Sequence, residues 1–191
     1  MSDTHPRTLI RQEVVNRLKA SKVVDGATLY ATPAGERVFP ARALPSHVKL
    51  MPALLVYDDK EKVQGEYFQD CPKRVVTCTV EAQATAADEE ALDLLLDAMA
   101  LVVERIVLFD PRQGGNAQDT NYSATEKARD DSGDRLFGRL WLDFEIDYDM
   151  PPVDETSGMD EFLLFHADYD LAPQDGGIET SDDIRVRPEE S

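Results

Sequence analysis

Asp143, Glu145, Asp147 and Asp149 recur at every second position of the chain. In an extended strand such residues share one face and stand about 7 Å apart, at roughly 3.3 Å of rise per residue. A row of carboxylates can hold a divalent cation, act as general acid and base, meet a basic partner or line an acidic channel. Metal or acid-base chemistry also needs groups from other elements, and the sequence singles out none. A ladder confined to one strand reads first as an acidic, solvated face.

Other constellations are weaker. Asp130-Asp131-Ser132-Gly133-Asp134 resembles a calcium loop, but the Asp-x-Asp-x-Asp-Gly spacing and the later ligating Glu are missing. A polar hairpin loop with Gly133 at a positive φ suits it better. Asp58-x-Lys60 resembles half of a nuclease metal site without the upstream acid, and reads as a charged turn. His5, His47 and His166 fall in separate segments, so no pair is spaced for a metal or a catalytic dyad. Cys71 and Cys78 have six residues between them and no further Cys or His at zinc spacing, and are expected as reduced thiols with Cys78 buried. No phosphate-binding glycine loop or nucleophile elbow occurs. The expectation is therefore no catalytic residue, no metal, no cofactor and no enzyme activity.

Arg37, Phe39, Arg42, Tyr57 and Phe68 form a scatter of arginines and aromatics, the residue types favoured at protein interfaces. An equal alternative has the rings in the core and the arginines in water.

The elements that must position these residues follow from hydrophobic period. Ile10, Val14 and Leu18 predict a helix over Pro6 to Ala20, started by Thr4. Asp25-Gly26 predicts a turn, residues 36–42 a proline-interrupted edge strand, and Pro52 to Tyr57 a strand ended by the polar run 58–62. Arg74 to Thr85 alternates as a strand with one core face and one mostly polar face. Asp88 to Phe109 is a helix capped by Asp88, with Leu92, Leu95, Leu96, Met99, Val103 and Ile106 as its stripe. Residues 112–119 read as a flexible loop, followed by strands over Thr120 to Lys127 and Arg135 to Asp149. This order predicts an α+β fold, a mostly antiparallel, mixed sheet with two helices packed on one face.

Charge divides the chain. Of 191 residues 38 are acidic and 20 basic, for a net charge of −18, and residues 143–191 hold 16 of the acids with 2 of the bases. A core domain over 1–149 and an acidic, extended C-terminal arm over 150–191 are expected. Such acidity disfavours a nucleic-acid reader or an anionic membrane surface. No apolar run approaches the roughly 20 residues of a membrane span, and no signal segment opens the chain, so a cytoplasmic site of synthesis is expected.

The helix around residues 9–18, then Arg37-Val38-Phe39-Pro40-Ala41-Arg42, Met51-Pro52-Ala53-Leu54-Leu55-Val56-Tyr57, and the strand and acid-capped helix to Phe109 together resemble phage tail terminator proteins, the minor tail protein U-like family of long-tailed phages. The resemblance spans residues 7–149 in element order. It implies a structural virion protein at the head-proximal end of the tail, assembled in the host bacterial cytoplasm. The implied protein forms a homohexameric ring that caps the tail tube, stops its polymerisation and presents a surface for head joining. Its implied partners are copies of itself, the tail tube protein, the head–tail connector, and genomic DNA passing through the lumen without specific binding. Arg37, Phe39, Arg42 and Tyr57 become candidates for subunit or tube contacts, and Phe162, Leu164 and Tyr169 for anchors of the arm. Asp143, Glu145, Asp147 and Asp149 become candidates for an acidic lumen or solvent face. The alternatives are another head–tail joining or tail-completion ring protein, a metal-dependent hydrolase using the acidic strand, and a monomeric adaptor.

Overall fold

The computed structural model describes residues 4–25, 27–40, 51–64, 73–130 and 136–150 in full, and the backbone of 164–169 and 180–185. The chain divides into two units, Met1–Pro151 and Pro152–Ser191.

The first unit is the expected α+β fold. Helix α1 is Pro6–Lys19, β1 Ser21–Val24, β2 Ala27–Tyr30, β3 Val38–Phe39, β4 Ala53–Gln64, β5 Lys73–Ala86, α2 Glu89–Phe109, β6 Asp119–Asp130 and β7 Leu136–Asp149. β1 and β2 make an antiparallel hairpin, and the five-stranded sheet runs β3-β4-β5-β7-β6. β3 is parallel to β4 and every other pairing is antiparallel, so the sheet is mixed.

One sheet face carries both helices. Val76, Cys78, Val80, Ala82 and Ala84 of β5 and Leu140, Leu142, Phe144, Ile146 and Tyr148 of β7 form a single buried cluster with Ile10, Val14 and Leu18 of α1 and Leu92, Leu96, Met99 and Val103 of α2. These are the alternate residues of each strand and the four-residue repeat of each helix, which is why the sequence pattern folds this way. Burial pushes the Cys78 thiol up to about 12, so it stays protonated and inert. His5, rather than Thr4, is the N-cap of α1, its Nδ1 accepting from the Arg7 N–H at 3.3 Å. Asp88 caps α2 by accepting from the Ala91 N–H at 2.8 Å.

β4 does not end at Tyr57. It continues to Gln64 through a bulge between Asp58 and Lys60. The extra residue puts Asp58 and Glu61 both on the helix side, where Arg11 binds Asp58 and Arg7 donates to Glu61 at 3.1 Å. Polar residues that read as a strand stop are held in the strand by the cations of α1. β6 repeats the device with a bulge between Tyr122 and Ala124, after which Lys127 and Arg129 turn toward α2. Lys127 meets Asp97 at 2.5 Å and Arg129 meets Asp93 at 2.6 Å.

In the second unit β8, Leu164–Tyr169, pairs antiparallel with β9, Thr180–Arg185, Phe165 lying opposite Ile184.

Gly138 lies where α2 crosses β7: a Cβ there would come within 2.9 Å of Leu96 Cδ1 and 3.0 Å of Leu92 Cδ2. Gly138→Val should therefore lower stability by about 1–3 kcal/mol, as overpacked cores do. In urea unfolding, the double variant with Leu96→Ala should be less destabilised than the sum of the two single changes.

Candidate functional site

The sheet face opposite the helices carries the acidic ladder. Asp143, Glu145 and Asp147 are half-buried and Asp149 is exposed, alternating with the buried Leu142, Phe144, Ile146 and Tyr148. Three of the four carboxylates have partners. Asp143 accepts from the Thr79 hydroxyl at 2.6 Å, Asp147 pairs with Lys73 at 3.0 Å, and Asp149 accepts from the Gln118 amide at 2.6 Å. The ladder is thus a hydrogen-bonded face of the sheet as well as an acidic one.

The neighbouring part of β5 on this face was expected to be polar and open, yet Thr79, Glu81 and Gln83 are buried, Glu81 to 4% exposure. Thr79 is taken up by Asp143, and Glu81 is held from both sides: Tyr57 Oη donates to Glu81 Oε2 at 3.2 Å and Gln83 Nε2 donates to Glu81 Oε1 at 2.6 Å, with Arg139 at 3.9 Å. A buried carboxylate requires such partners. Beside this network a hollow of about 310 Å³ is lined by Thr77, Thr79, Glu126, Trp141 and Asp143, among others. Among the described residues no group of three or more His, Cys, Asp or Glu side chains is gathered so as to hold a metal ion.

Arg37 and Phe39 lie at the β3 edge and are half-buried. Arg37 Nε donates to the Pro52 carbonyl at 2.8 Å, tying the edge strand to the start of β4. Tyr57 is buried, its hydroxyl on Glu81. Arg42 and Phe162 lie outside the described residues, as do Phe68 and Cys71, and only the backbone of Leu164 and Tyr169 is described. The structure therefore brings Tyr57 onto the same face as Asp143 and sets Arg37 and Phe39 at the sheet edge.

A second surface, missed in the sequence, lies where α1 and α2 end. Phe109 closes α2 at 88% exposure, and up the same helix Leu108, Leu101 and Leu94 are exposed at seven-residue spacing. All eight residues of the β1–β2 hairpin are exposed, Val23 to 73%. An apolar hollow of about 520 Å³ runs between Ala20, Ala31, Ile106 and Phe109, and continues into one of about 280 Å³ along Leu29 and Tyr30. The available signal was α2 itself, which carries more leucines than one buried stripe can use.

This end of the fold is pinned by a cluster that the sequence presented as a flexible loop. Arg17 of α1 binds both Glu13, at 2.7 Å, and the carboxylate of Asp110, the C-cap of α2. Asp110 also accepts from the N–H groups of Gly114 at 2.9 Å and Arg112 at 3.0 Å. Gln113, fully buried in the 3-10 turn Gln113–Gly115, donates to the Val107 carbonyl at 3.0 Å and to the Thr120 hydroxyl at 3.2 Å. Gly114 turns the chain at φ 69°, a conformation that favours glycine. The hollow's walls are therefore fixed by a charge clamp between the two helix ends.

Among the described residues no helix is long and apolar enough to cross a membrane. Comparison with protein-family models and with curated proteins finds no match for this chain.

The Arg17 guanidinium, followed by the Gly114 and Arg112 N–H groups, holds the Asp110 carboxyl down at about 2. A depressed carboxyl contributes stability above its ordinary value, about 4, and loses it as pH falls through the folded value. Asp110→Asn should be less stable than the parent at neutral pH, and the gap in thermal midpoint should close between about pH 4 and pH 2. A constant gap across that window would show that Asp110 acts there by shape alone.

Proposed function

We propose that this chain is a structural virion protein that forms a ring capping the end of a phage tail tube, ending tube polymerisation and offering a surface for head joining. The observation that carries the reading is the apolar surface at the helix ends. Phe109, Leu94, Leu101 and both strands of the β1–β2 hairpin are exposed on a lone subunit. Exposed apolar surface gathered as it is around Ala20, Ala31, Ile106 and Phe109 favours a protein–protein contact. The resemblance of residues 7–149 to tail terminators and their shared layout, a small sheet with helices on one side, give that contact its context.

On this reading no reaction is catalysed. Arg37 and Phe39 at the β3 edge are placed for subunit or tube contacts, and the face bearing Asp143, Glu145, Asp147 and Asp149 suits a lumen through which DNA passes without being held. Negative walls repel phosphates over roughly 10 Å at ordinary salt. A separate metal-hydrolase reading has no gathered ligand set among the described residues to rest on.

The test is electron microscopy of the purified full chain, alone and added to growing tail tubes, with solution mass on the same samples. Six-fold rings, or tubes whose growth stops at capped ends, are the expected result. A protein that stays monomeric and leaves tubes growing would overturn the reading. Changing Asp143, Asp147 and Asp149 to Asn and Glu145 to Gln should leave ring formation intact and slow genome passage through assembled particles; unchanged passage would remove the lumen role.

A further inference from the structure

The apolar hollow at Phe109 and the one at Leu29 and Tyr30 adjoin at Ala20 and Ala31, and together they are called the trough. Its floor and sides are apolar, from Ala20, Ala31, Ile106 and Phe109 to Leu29 and Tyr30. Its free charges are positive. Arg105 and Lys22 line it, both exposed, and neither makes an ion pair among the described residues. The one carboxylate in its wall, Asp110, is already bound by Arg17. On a chain of net charge −18 this is a local reversal of sign.

The chain also carries a segment of the complementary character. Residues 152–191 hold 12 acidic residues against 2 basic ones. Within them β8 and β9 form a two-stranded sheet of their own, and an isolated two-stranded hairpin is marginal in water unless it packs on something. Strand alternation gives Phe165, Ala167 and Tyr169 one parity, with Ile184 opposite Phe165, while Asp168, Asp182 and Asp183 supply negative charge in the same two strands. An apolar, acidic hairpin and an apolar, cation-rimmed trough match in both respects.

We propose that the trough between the β1–β2 hairpin and the end of α2 receives the β8–β9 hairpin of a second copy of this chain. The choice of a second copy rests on the ring reading above. The contact is heterologous, trough to hairpin, the kind that propagates around a ring when its rotation closes.

Charge reversal in the full-length chain tests this. One variant carries Arg105→Glu and Lys22→Glu; another carries Asp168→Lys, Asp182→Lys and Asp183→Lys. Every altered trough residue is exposed, so the core is untouched. Each variant alone should self-associate about tenfold more weakly than the parent by sedimentation velocity. An equal mixture of the two should recover association, because alternating subunits then join a reversed trough to a reversed hairpin and a native trough to a native hairpin. Adding Phe109→Asp to both should abolish that recovery, which separates docking in the apolar trough from charge pairing elsewhere on the surface. Undiminished association of the trough variant would overturn the inference, as would a mixture no better than its components, the outcome expected if the hairpin packs on its own chain. A parent that is monomeric up to millimolar concentration would also overturn it. Rings or capped tubes that persist with the trough variant would sink this contact and leave the ring reading standing, whereas loss of rings and capping from the parent itself would sink the ring reading.

Discussion

Opposite charge on the helices and on the edge strands beneath them decides how this fold is laid out. α1 brings Arg7 and Arg11 to Asp58 and Glu61 of β4, and α2 brings Glu89, Asp93 and Asp97 to Lys127 and Arg129 of β6. Each pair is partly solvated and contributes little stability by itself; burial of the apolar cluster supplies most of that. The pairs contribute specificity. Exchanging the helices would set acids over acids and cations over cations, and a one-residue slip in either edge strand would turn its charges to the far face. The two bulges are what make the match possible, since each adds the single residue that moves the charged set onto the helix side.

The exposed surfaces follow from that layout. Once α2 has turned Leu92, Leu96, Met99 and Val103 to the sheet and Asp93 and Asp97 to β6, its remaining side retains Leu94, Leu101 and Leu108, with Phe109 at its end. No described element covers them. The clamp of Arg17 on Asp110 then holds the ends of α1 and α2 together, fixing the walls of the trough as a rigid part of the fold rather than a loop that could close over it.

Most of the architecture was legible because it depends on period. The alternation in β5 and β7 and the four-residue repeat in both helices survive tertiary contact unchanged, and packing their apolar faces gives the α+β layering. The errors among the polar residues share a cause, side-chain pairing that no periodicity announces. Residues 58–62 look like a turn until Arg7 and Arg11 are placed above them, fifty residues away in sequence. Gln113 looks like a loop residue until Val107 and Thr120 are seen to accept from its side-chain N–H groups. Glu81 and Gln83 look solvated until Tyr57 is found beside them. A polar residue announces its need for a partner but not the partner's position, so a single sequence underestimates how much of the polar chain is built in. The exposed apolar surface was hidden differently: one stripe of α2 accounted for the helix, and the leucines left over carried no pattern of their own beyond a seven-residue spacing.

Net charge then constrains where copies of the chain can meet. At −18 per subunit, like-charged surfaces repel within a Debye length of about 8–10 Å, so close association is favoured only at contacts where the sign changes locally and apolar area is removed from water. The β6–β7 side of the sheet offers carboxylates, and the β8–β9 unit is more acidic still. The trough at the helix ends, with Arg105 and Lys22 at its rim and Phe109 in its wall, combines apolar surface with free positive charge. On the proposed ring reading, a contact through that trough would use the surface where apolar area and positive charge coincide and would leave the carboxylates of β7 for a lumen that DNA passes without being held.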